Sequence, residues 1–216
     1  MNQSRMLIGV ALCCLSLAAI AHAETIQTVV DRTIAGMDTV GTDSETIRDG
    51  LEELAGILVL IDPDHAVAPL IRDALSKIRD KDRSVRVASA LAIDLVRQGQ
   101  YDGAAKAYFD IILRFPRDPS ITRFQIALAR AYIMQQEFDK ARATLEPLTR
   151  KQSVESSWAV LELARIALLN RHQDEAIRRY RSIPVASPGS FAAKLAEREL
   201  LHIQLRDQIR KTGDPS

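Results

Sequence analysis

Side chains able to bind a metal or to perform acid–base chemistry are few and widely spaced in this sequence. The histidines after residue 23 are His65, His172 and His202, and none lies within metal-ligand spacing of another. Glu199 and His202 reproduce half of a di-iron motif, which needs a second copy and two further glutamates. A glycine-rich phosphate loop and a nucleophile elbow are also lacking. We therefore expect no metal, no cofactor and no catalytic residue, with the acidic side chains on solvated helix faces.

The first 23 residues have the pattern of an export signal. Arg5 supplies a positive charge, Met6 to Ile20 form an apolar run, and Ala21-His22-Ala23 match the small-x-small cleavage site. A run of about 15 residues is shorter than the ~20 residues of a membrane-spanning helix. We expect cleavage after Ala23 and no stable membrane insertion thereafter. An uncleaved anchor and lipidation at Cys13 are the less favoured alternatives.

Cleavage after Ala23 would leave a neutral chain without cysteine. The whole sequence has 29 basic and 28 acidic residues, and Arg5 is the one charged residue of the signal, so 28 of each sign remain. A neutral chain is a poor ligand for nucleic acid, and a chain without thiols excludes cysteine chemistry. An exported protein of this size can fold on its hydrophobic core without disulfides. These features predict a periplasmic protein with no nucleic-acid partner.

Composition favours an all-α fold. Glycine and proline together make up 17 of 216 residues, and aromatic residues are only 5%. Turn formers and aromatic residues are characteristic of β-sandwiches and barrels, which the sequence therefore does not resemble. From residue 84 onward, apolar residues recur at spacings of three and four, which is the pattern of amphipathic helices.

Three consecutive helix pairs share one spacing of small residues. Each first helix carries a Leu-Ala dipeptide, a further alanine follows 12 residues later, and a large residue follows four positions after that. Small residues at these points let two antiparallel helices approach closely. The dipeptides and later positions are Leu91-Ala92 with Ala104 and Tyr108, Leu128-Ala129 with Ala141 and Leu145, and Leu163-Ala164 with Ala176 and Tyr180.

This pattern resembles the tetratricopeptide repeat (TPR), with further matches at Gly99, Tyr101 and Pro116. The resemblance implies a right-handed α-solenoid of TPR helix pairs with a C-terminal capping helix. The expected segments are a signal peptide (1–23), an N-terminal segment that is loose or a short helix (24–43), a degenerate TPR-like helical hairpin (44–83), three repeats (84–189), the capping helix (190–211) and a frayed tail (212–216).

The resemblance also implies a concave groove, lined by the first helix of each pair, that binds a segment of a partner protein. The groove is expected to be apolar with a row of arginines, so the predicted partner is a protein or peptide segment, acidic and amphipathic, with Ile126, Met134 and Leu161 gripping its apolar side chains. The predicted groove residues are Arg86, Arg97, Arg123, Ile126, Arg130, Met134, Trp158, Leu161 and Arg165.

Exported proteins of this kind resemble accessory subunits of envelope assembly, secretion or polysaccharide and cell-wall complexes, which makes an adaptor or scaffold the favoured function. Two other functions stay open: a structural cap in a larger assembly with no discrete ligand, and an enzyme with a dispersed site. The groove also has a purely structural interpretation. Arg165 could pair with Glu162 one turn earlier, and Trp158 could fill space against the preceding repeat.

Overall fold

The computed structural model describes residues 23–37, 44–78, 83–150 and 153–213. Nearly all of the predicted export signal and the last three residues of the predicted tail lie outside the described residues. The regular structure is helical, as the composition predicts. The described helices are α1 (Ala23–Met37), α2 (Ser44–Leu60), α3 (Ala68–Ser76), α4 (Val85–Arg97), α5 (Tyr101–Arg114), α6 (Ile121–Met134), α7 (Phe138–Leu145), α8 (Val154–Leu169), α9 (Gln173–Ala186) and α10 (Phe191–Thr212).

The chain divides into two compact units at the loop between α4 and α5. The first unit comprises residues 1–99 and the second residues 100–216. Helices α1 to α4 belong to the first unit, and helices α5 to α10 to the second. The two helices of the first predicted repeat, α4 and α5, therefore belong to different units.

The first unit packs around α2, which contacts α1, α3 and α4. Its core is aliphatic, and the larger side chains that lose all contact with water are Val30 of α1, Leu54 and Leu58 of α2, and Ile71 and Leu75 of α3. Residues 24–37, which follow the predicted cleavage site, thus belong to the 15-residue helix Ala23–Met37, and this helix contributes Val30 to the core. Burial of such aliphatic side chains is the main force that holds short helices together.

The first turn of α3 contains a proline, a position that is compatible with the helix. Pro69 is within the first two residues of this nine-residue helix, where its missing N–H is not needed by the helical hydrogen-bond ladder. The preceding turn is fixed by Asp62, whose side chain accepts a 2.9 Å hydrogen bond from the N–H of Asp64. In the predicted degenerate hairpin (44–83), α2 is followed by a turn that contains Pro63 and then by the short helix α3.

The second unit is a stack in which consecutive helices pack against each other, as in a TPR-type solenoid. Ala129 and Ala141 are fully buried in one cluster, and Ala164 and Ala176 are fully buried in the next. Ala92 and Ala104 are each fully buried as well, one in each unit. The prediction that these six alanines lie at close helix contacts is confirmed for the two pairs inside the second unit.

Local features set two helix boundaries in the second unit. Helix α6 begins at Ile121, and the side chain of Asp118 accepts a 2.8 Å hydrogen bond from the N–H of Ser120 in the preceding turn. Helix α7 ends at Leu145 and is followed by a 3₁₀ turn at Glu146–Arg150. Pro147 lies in that turn and lacks the N–H that a continued α-helix would require.

Helix α9 continues through Pro184 and ends at Ala186. Pro184 lies in the last turn, so its missing N–H removes a single hydrogen bond of the ladder. The neighbouring Ile183 is buried in the core, which holds that turn in place. Packing therefore overrides local propensity at this end.

The long last helix α10 has well-formed ends. Ser190 accepts a 3.1 Å hydrogen bond from the N–H of Ala193, and Gly213 follows the helix in the left-handed conformation (φ 67°). No helix in the described part of the chain is both long enough and apolar enough to cross a lipid bilayer.

Candidate functional site

The predicted groove residues are divided between the two units. Two of them lie on α4 in the first unit, and seven lie on α6 and α8 in the second. The residues of the first unit are Arg86 and Arg97; those of the second are Arg123, Ile126, Arg130 and Met134 on α6, and Trp158, Leu161 and Arg165 on α8.

Both predicted groove arginines of the first unit lie against α2. The Nη1 of Arg97 donates to the carbonyl oxygens of Leu58 and Val59, at 3.2 Å each. Those carbonyls belong to the last turn of α2, where no helical N–H is available to them and where a cation is favoured. Arg86 also lies against α2. Its Nη2 is so close to Gly56 that a Cβ atom added to this glycine would lie 3.1 Å from it. Arg97 therefore has a structural role as a cap of α2.

The first unit also buries a carboxylate that the sequence analysis had placed on a solvated surface. Asp94 on α4 is only 2% exposed, and Arg72 of α3 binds it with two contacts, Nε–Oδ2 at 2.6 Å and Nη2–Oδ1 at 3.2 Å. The side-chain amide of Gln98 donates to the same carboxylate, and Arg72 also donates to the carbonyl oxygen of Pro63. This enclosed pair links α3 to α4, and the expectation for Asp94 was wrong.

The second unit buries a different carboxylate, Glu162 of α8, which is 1% exposed. Its Oε1 lies 2.7 Å from the Nε of Arg130 on α6, and its Oε2 lies 3.2 Å from the Nη1 of Arg165 one turn along α8. Both arginine side chains are about half-exposed. The expectation of a solvated Glu162 was also wrong, whereas the pairing of Arg165 with Glu162 is confirmed. Two guanidinium groups at the surface share one buried negative charge.

Trp158 lies beside this arrangement. Its ring is 5.3 Å from the guanidinium carbon of Arg130 and 6.0 Å from the ring of Phe191 on α10. The first contact is a cation–π interaction, and the second is an aromatic contact. The tryptophan is half-buried and contacts the apolar clusters on both sides of it. Trp158 thus packs between repeats and holds Arg130 in place.

The apolar part of the predicted groove requires a correction. Ile126 and Leu161 are 5% and 6% exposed, because they pack into the two apolar clusters of the second unit. They are core residues and leave almost no surface to grip a partner. Met134 is more than half-exposed, as expected of a groove residue, and so is Leu169 at the corresponding end of α8.

Arg123 is the most exposed arginine of this face. Its closest described acidic group is the carboxylate of Glu155, with 3.9 Å between Nε and Oε1. Pairs of this length between exposed side chains are weak. Arg123, Arg130 and Arg165 together face Glu155 and Glu162, so this part of the surface keeps an excess of one positive charge. We call Arg123, Arg130, Met134, Trp158, Arg165 and Leu169 the arginine face.

Two buried tyrosines lie near this face. Burial raises the pKa of Tyr108 to about 12, and the charge of Arg130 opposes that rise. Burial also raises the pKa of Tyr180 to about 12, helped by the negative charge of Glu199 and opposed by Arg165. Both phenols therefore stay neutral at physiological pH and pack as core residues, and they cannot act there as bases.

A family model described as tetratricopeptide repeat matches residues 95–159, from the end of α4 into α8. This stretch is similar to tetratricopeptide repeats. They form a protein-interaction fold that is generally not catalytic. The matched residues include Arg123, Arg130 and Trp158 of the arginine face. A search of curated proteins finds no match to the chain. Among the described residues, no group of three His, Cys, Asp or Glu side chains is placed to hold a metal ion.

Proposed function

We propose that this protein is a periplasmic adaptor that binds an acidic, amphipathic segment of a partner protein on its arginine face. The observation that carries the proposal is the sharing of buried Glu162 by Arg130 and Arg165, two half-exposed arginines from consecutive repeats. The tetratricopeptide repeats support a role in protein–protein interaction. We further propose that the partner belongs to an envelope assembly, secretion or polysaccharide and cell-wall complex.

The buried Glu162 orients the guanidinium groups of Arg130 and Arg165 before a partner binds. A guanidinium carries five N–H donors in a fixed plane, and Glu162 accepts from the Nε of Arg130 and the Nη1 of Arg165. The other N–H groups remain to bind a carboxylate in bidentate geometry. Since Glu162 and Trp158 already fix Arg130, less side-chain entropy is lost when a partner binds.

The apolar component of recognition would come from Met134 and Leu169. Both are more than half-exposed, and each ends the first helix of its repeat. A flexible methionine adapts to apolar side chains of different shapes. A segment with carboxylates and large apolar residues therefore matches both the charge and the apolar surface of the arginine face.

Binding can be tested with a pair of variants matched in charge. Arg123→Glu with Arg165→Met changes the arginine face, while Arg178→Glu with Arg181→Met makes the same substitutions at two exposed arginines of α9. Partners crosslinked to the full chain in envelope extracts would be quantified by mass spectrometry. Loss of two charge-assisted hydrogen bonds of about 1.5–3 kcal/mol each predicts a hundredfold or greater loss of affinity for the first variant. Equal recovery by both variants would contradict the proposal.

Reversal of Arg130 is unsuitable for this test. Arg130→Glu would place a second carboxylate beside buried Glu162, so a loss of binding could reflect unfolding rather than recognition. Arg123 does not have this disadvantage, because its side chain is largely exposed and its pair with Glu155 is long.

The proposed location rests on Arg5, the apolar run of residues 6–20 and the cleavage pattern at 21–23. Mass measurement of the protein from the envelope fraction is expected to show an N-terminus at Glu24. A chain that retains Met1, or one that is diacylated at Cys13, would contradict cleavage at this site.

A further inference from the structure

The last helix has a second exposed face, which adjoins the arginine face at the contact between the rings of Phe191 and Trp158. Six residues of α10 follow each other at spacings of three and four, so they lie along one side of the helix. Its N-terminal half is aromatic and basic, and its C-terminal half is aliphatic. We call Phe191, Lys194, Arg198, Leu201, Leu205 and Ile209 the outer strip.

The opposite side of α10 is the one that packs on the second unit. Ala192, Ala193, Ala196 and Ile203 are buried there against the core. A helix that ends a solenoid normally has a polar outer side, because no further repeat covers it. Here Leu201, Leu205 and Ile209 are 52%, 47% and 51% exposed. Helix α10 is therefore apolar on two opposite sides, which is the pattern of a helix with a neighbour on each.

The charges of the outer strip are all positive. Lys194 and Arg198 are exposed and belong to the strip, and no acidic residue does. Arg198 has one contact with an acid, 3.3 Å from Glu199 on an exposed part of the helix. Glu197 lies at one edge of the strip and His202 at the other. A surface of this kind favours a partner with an apolar stripe and with carboxylates beside Lys194 and Arg198.

We propose that the outer strip binds an amphipathic α-helix of a partner protein that carries acidic residues. The aliphatic positions 201 to 209 span about 12 Å at 1.5 Å per residue, which matches two turns of a helix laid alongside. Leucine and isoleucine at these spacings interdigitate with a similar stripe. The carboxylates lie at the end of the partner helix that faces Lys194 and Arg198.

Two other occupants fit the strip less well. A second copy of this chain would bring its own Lys194 and Arg198 but no strip carboxylate to pair with them. An anionic membrane surface would meet only three half-exposed aliphatic side chains and one phenylalanine, whereas stable membrane binding needs a larger buried apolar area. Acidic Glu197 at the edge of the strip also disfavours an anionic surface.

A designed peptide can test the proposal without knowledge of the natural partner. The probe is a fluorescein-labelled helical peptide of about three heptads, with leucine at the a and d positions and glutamate at e and g, which oppose its self-pairing. The control peptide has lysine in place of glutamate. Fluorescence anisotropy with the full chain is expected to show binding of the glutamate peptide and at least about tenfold weaker binding of the lysine peptide.

Variants of the chain test whether the glutamate peptide binds at the outer strip. The double variant Leu201→Ala with Leu205→Ala is expected to weaken binding of the glutamate peptide at least about tenfold. The double variant Lys194→Glu with Arg198→Glu is expected to bind the lysine peptide more tightly than the glutamate peptide. Leu113→Ala removes a leucine of α5 that is 62% exposed, and it is expected to leave the binding of both peptides unchanged. If Arg123→Glu with Arg165→Met abolishes binding and the strip variants do not, the outer-strip proposal fails while the proposed function stands.

Three further results would also overturn the proposal. One is equal binding of the two peptides. Another is a concentration-dependent dimer in sedimentation equilibrium that Leu205→Glu dissociates, because the strip would then hold a second copy. The last is co-sedimentation with phosphatidylglycerol vesicles that the same variant abolishes, because the strip would then bind a membrane.

Discussion

Among the residues that the structure describes, each unit buries one carboxylate, and the surroundings of the two carboxylates differ. In the first unit, Asp94 is enclosed by Arg72, a mostly buried arginine that binds both of its oxygens. In the second, Glu162 is shared by Arg130 and Arg165, which are both half-exposed. The enclosed pair satisfies itself and stabilises the fold. The open arrangement keeps cationic groups at the surface, and that difference is why the candidate site lies in the second unit.

The units also differ in the kind of apolar residue they use. All ten aromatic residues of the chain lie at or after Tyr101, so the first unit has an entirely aliphatic core. Large flat rings let the second unit combine packing with polar contacts, as Trp158 does with Arg130. The same distribution is useful experimentally, because tryptophan fluorescence reports on the second unit alone.

The largest expected effect comes from Arg72→Met, which would leave the Asp94 carboxylate buried without its cation. Removal of one partner of a buried pair typically costs about 3–5 kcal/mol of unfolding free energy. Arg165→Met should cost about 1 kcal/mol or less, because Arg130 still holds Glu162 and Arg165 is half-exposed. Urea denaturation gives the unfolding free energy of both variants. Far-UV circular dichroism follows the unfolding of Arg72→Met, and Trp158 fluorescence follows that of Arg165→Met.

A double variant serves as the control for that contrast. Arg72→Met with Asp94→Leu replaces both charges by apolar groups and should recover most of the lost stability, since no unpaired charge stays buried. Equal losses for Arg72→Met and Arg165→Met would show that the two carboxylates are held in the same way, and the comparison between the units would then fail.

Alkaline pH should weaken the second unit through its two buried tyrosines. Because the folded-state pKa of Tyr108 and of Tyr180 is raised to about 12, their contribution to stability is complete below the ordinary pKa of about 10 and is lost as the pH rises toward 12. Each contributes up to about 3 kcal/mol. Urea midpoints between pH ~9 and ~11 should fall less in a variant with phenylalanine at both positions. If the urea midpoint of that variant fell as much as that of the wild type, ionisation of Tyr108 and Tyr180 would not be the cause of the loss.

A smaller loss is expected from Ala129→Leu, which inserts methylenes into the contact between α6 and α7. Overpacking of this type costs about 1–3 kcal/mol. Ala143→Leu, at an exposed position of α7, is the matched control and should leave the thermal unfolding curve nearly unchanged. Similar melting of Ala129→Leu and the wild type would mean that Ala129 does not lie at a close helix contact.

Much of the fold followed from the spacing of small residues. Alanine occurs at 129 and 141, and again at 164 and 176, because two helices cannot approach closely with larger side chains between them. Helix ends were less predictable from local preferences. Asp118 is a residue type that often caps a helix, but it forms a hydrogen bond in the turn before α6. Pro184 is a residue type that often ends a helix, but α9 continues past it because Ile183 is buried.

The candidate site was predicted in part. The arginines and Met134 are at the surface, whereas Ile126 and Leu161 are buried between neighbouring helices. The sequence did contain a signal for Glu162, which lies three residues after buried Ala159 and four before buried Ile166 and so shares their side of α8. Asp94 lies four residues after buried Ala90 and so shares its side of α4.

The helical and repetitive character of the chain follows from its sequence, because helix periodicity and the alanine spacing are local properties of the chain. The burial or exposure of individual charges depends instead on how the helices pack. Burial of Glu162 depends on Arg130, 32 residues earlier in the chain, and the exposure of the outer strip depends on which side of α10 packs on the core. Both are set by contacts between helices, and the free energy of a charge depends on those contacts far more than on its neighbours in sequence.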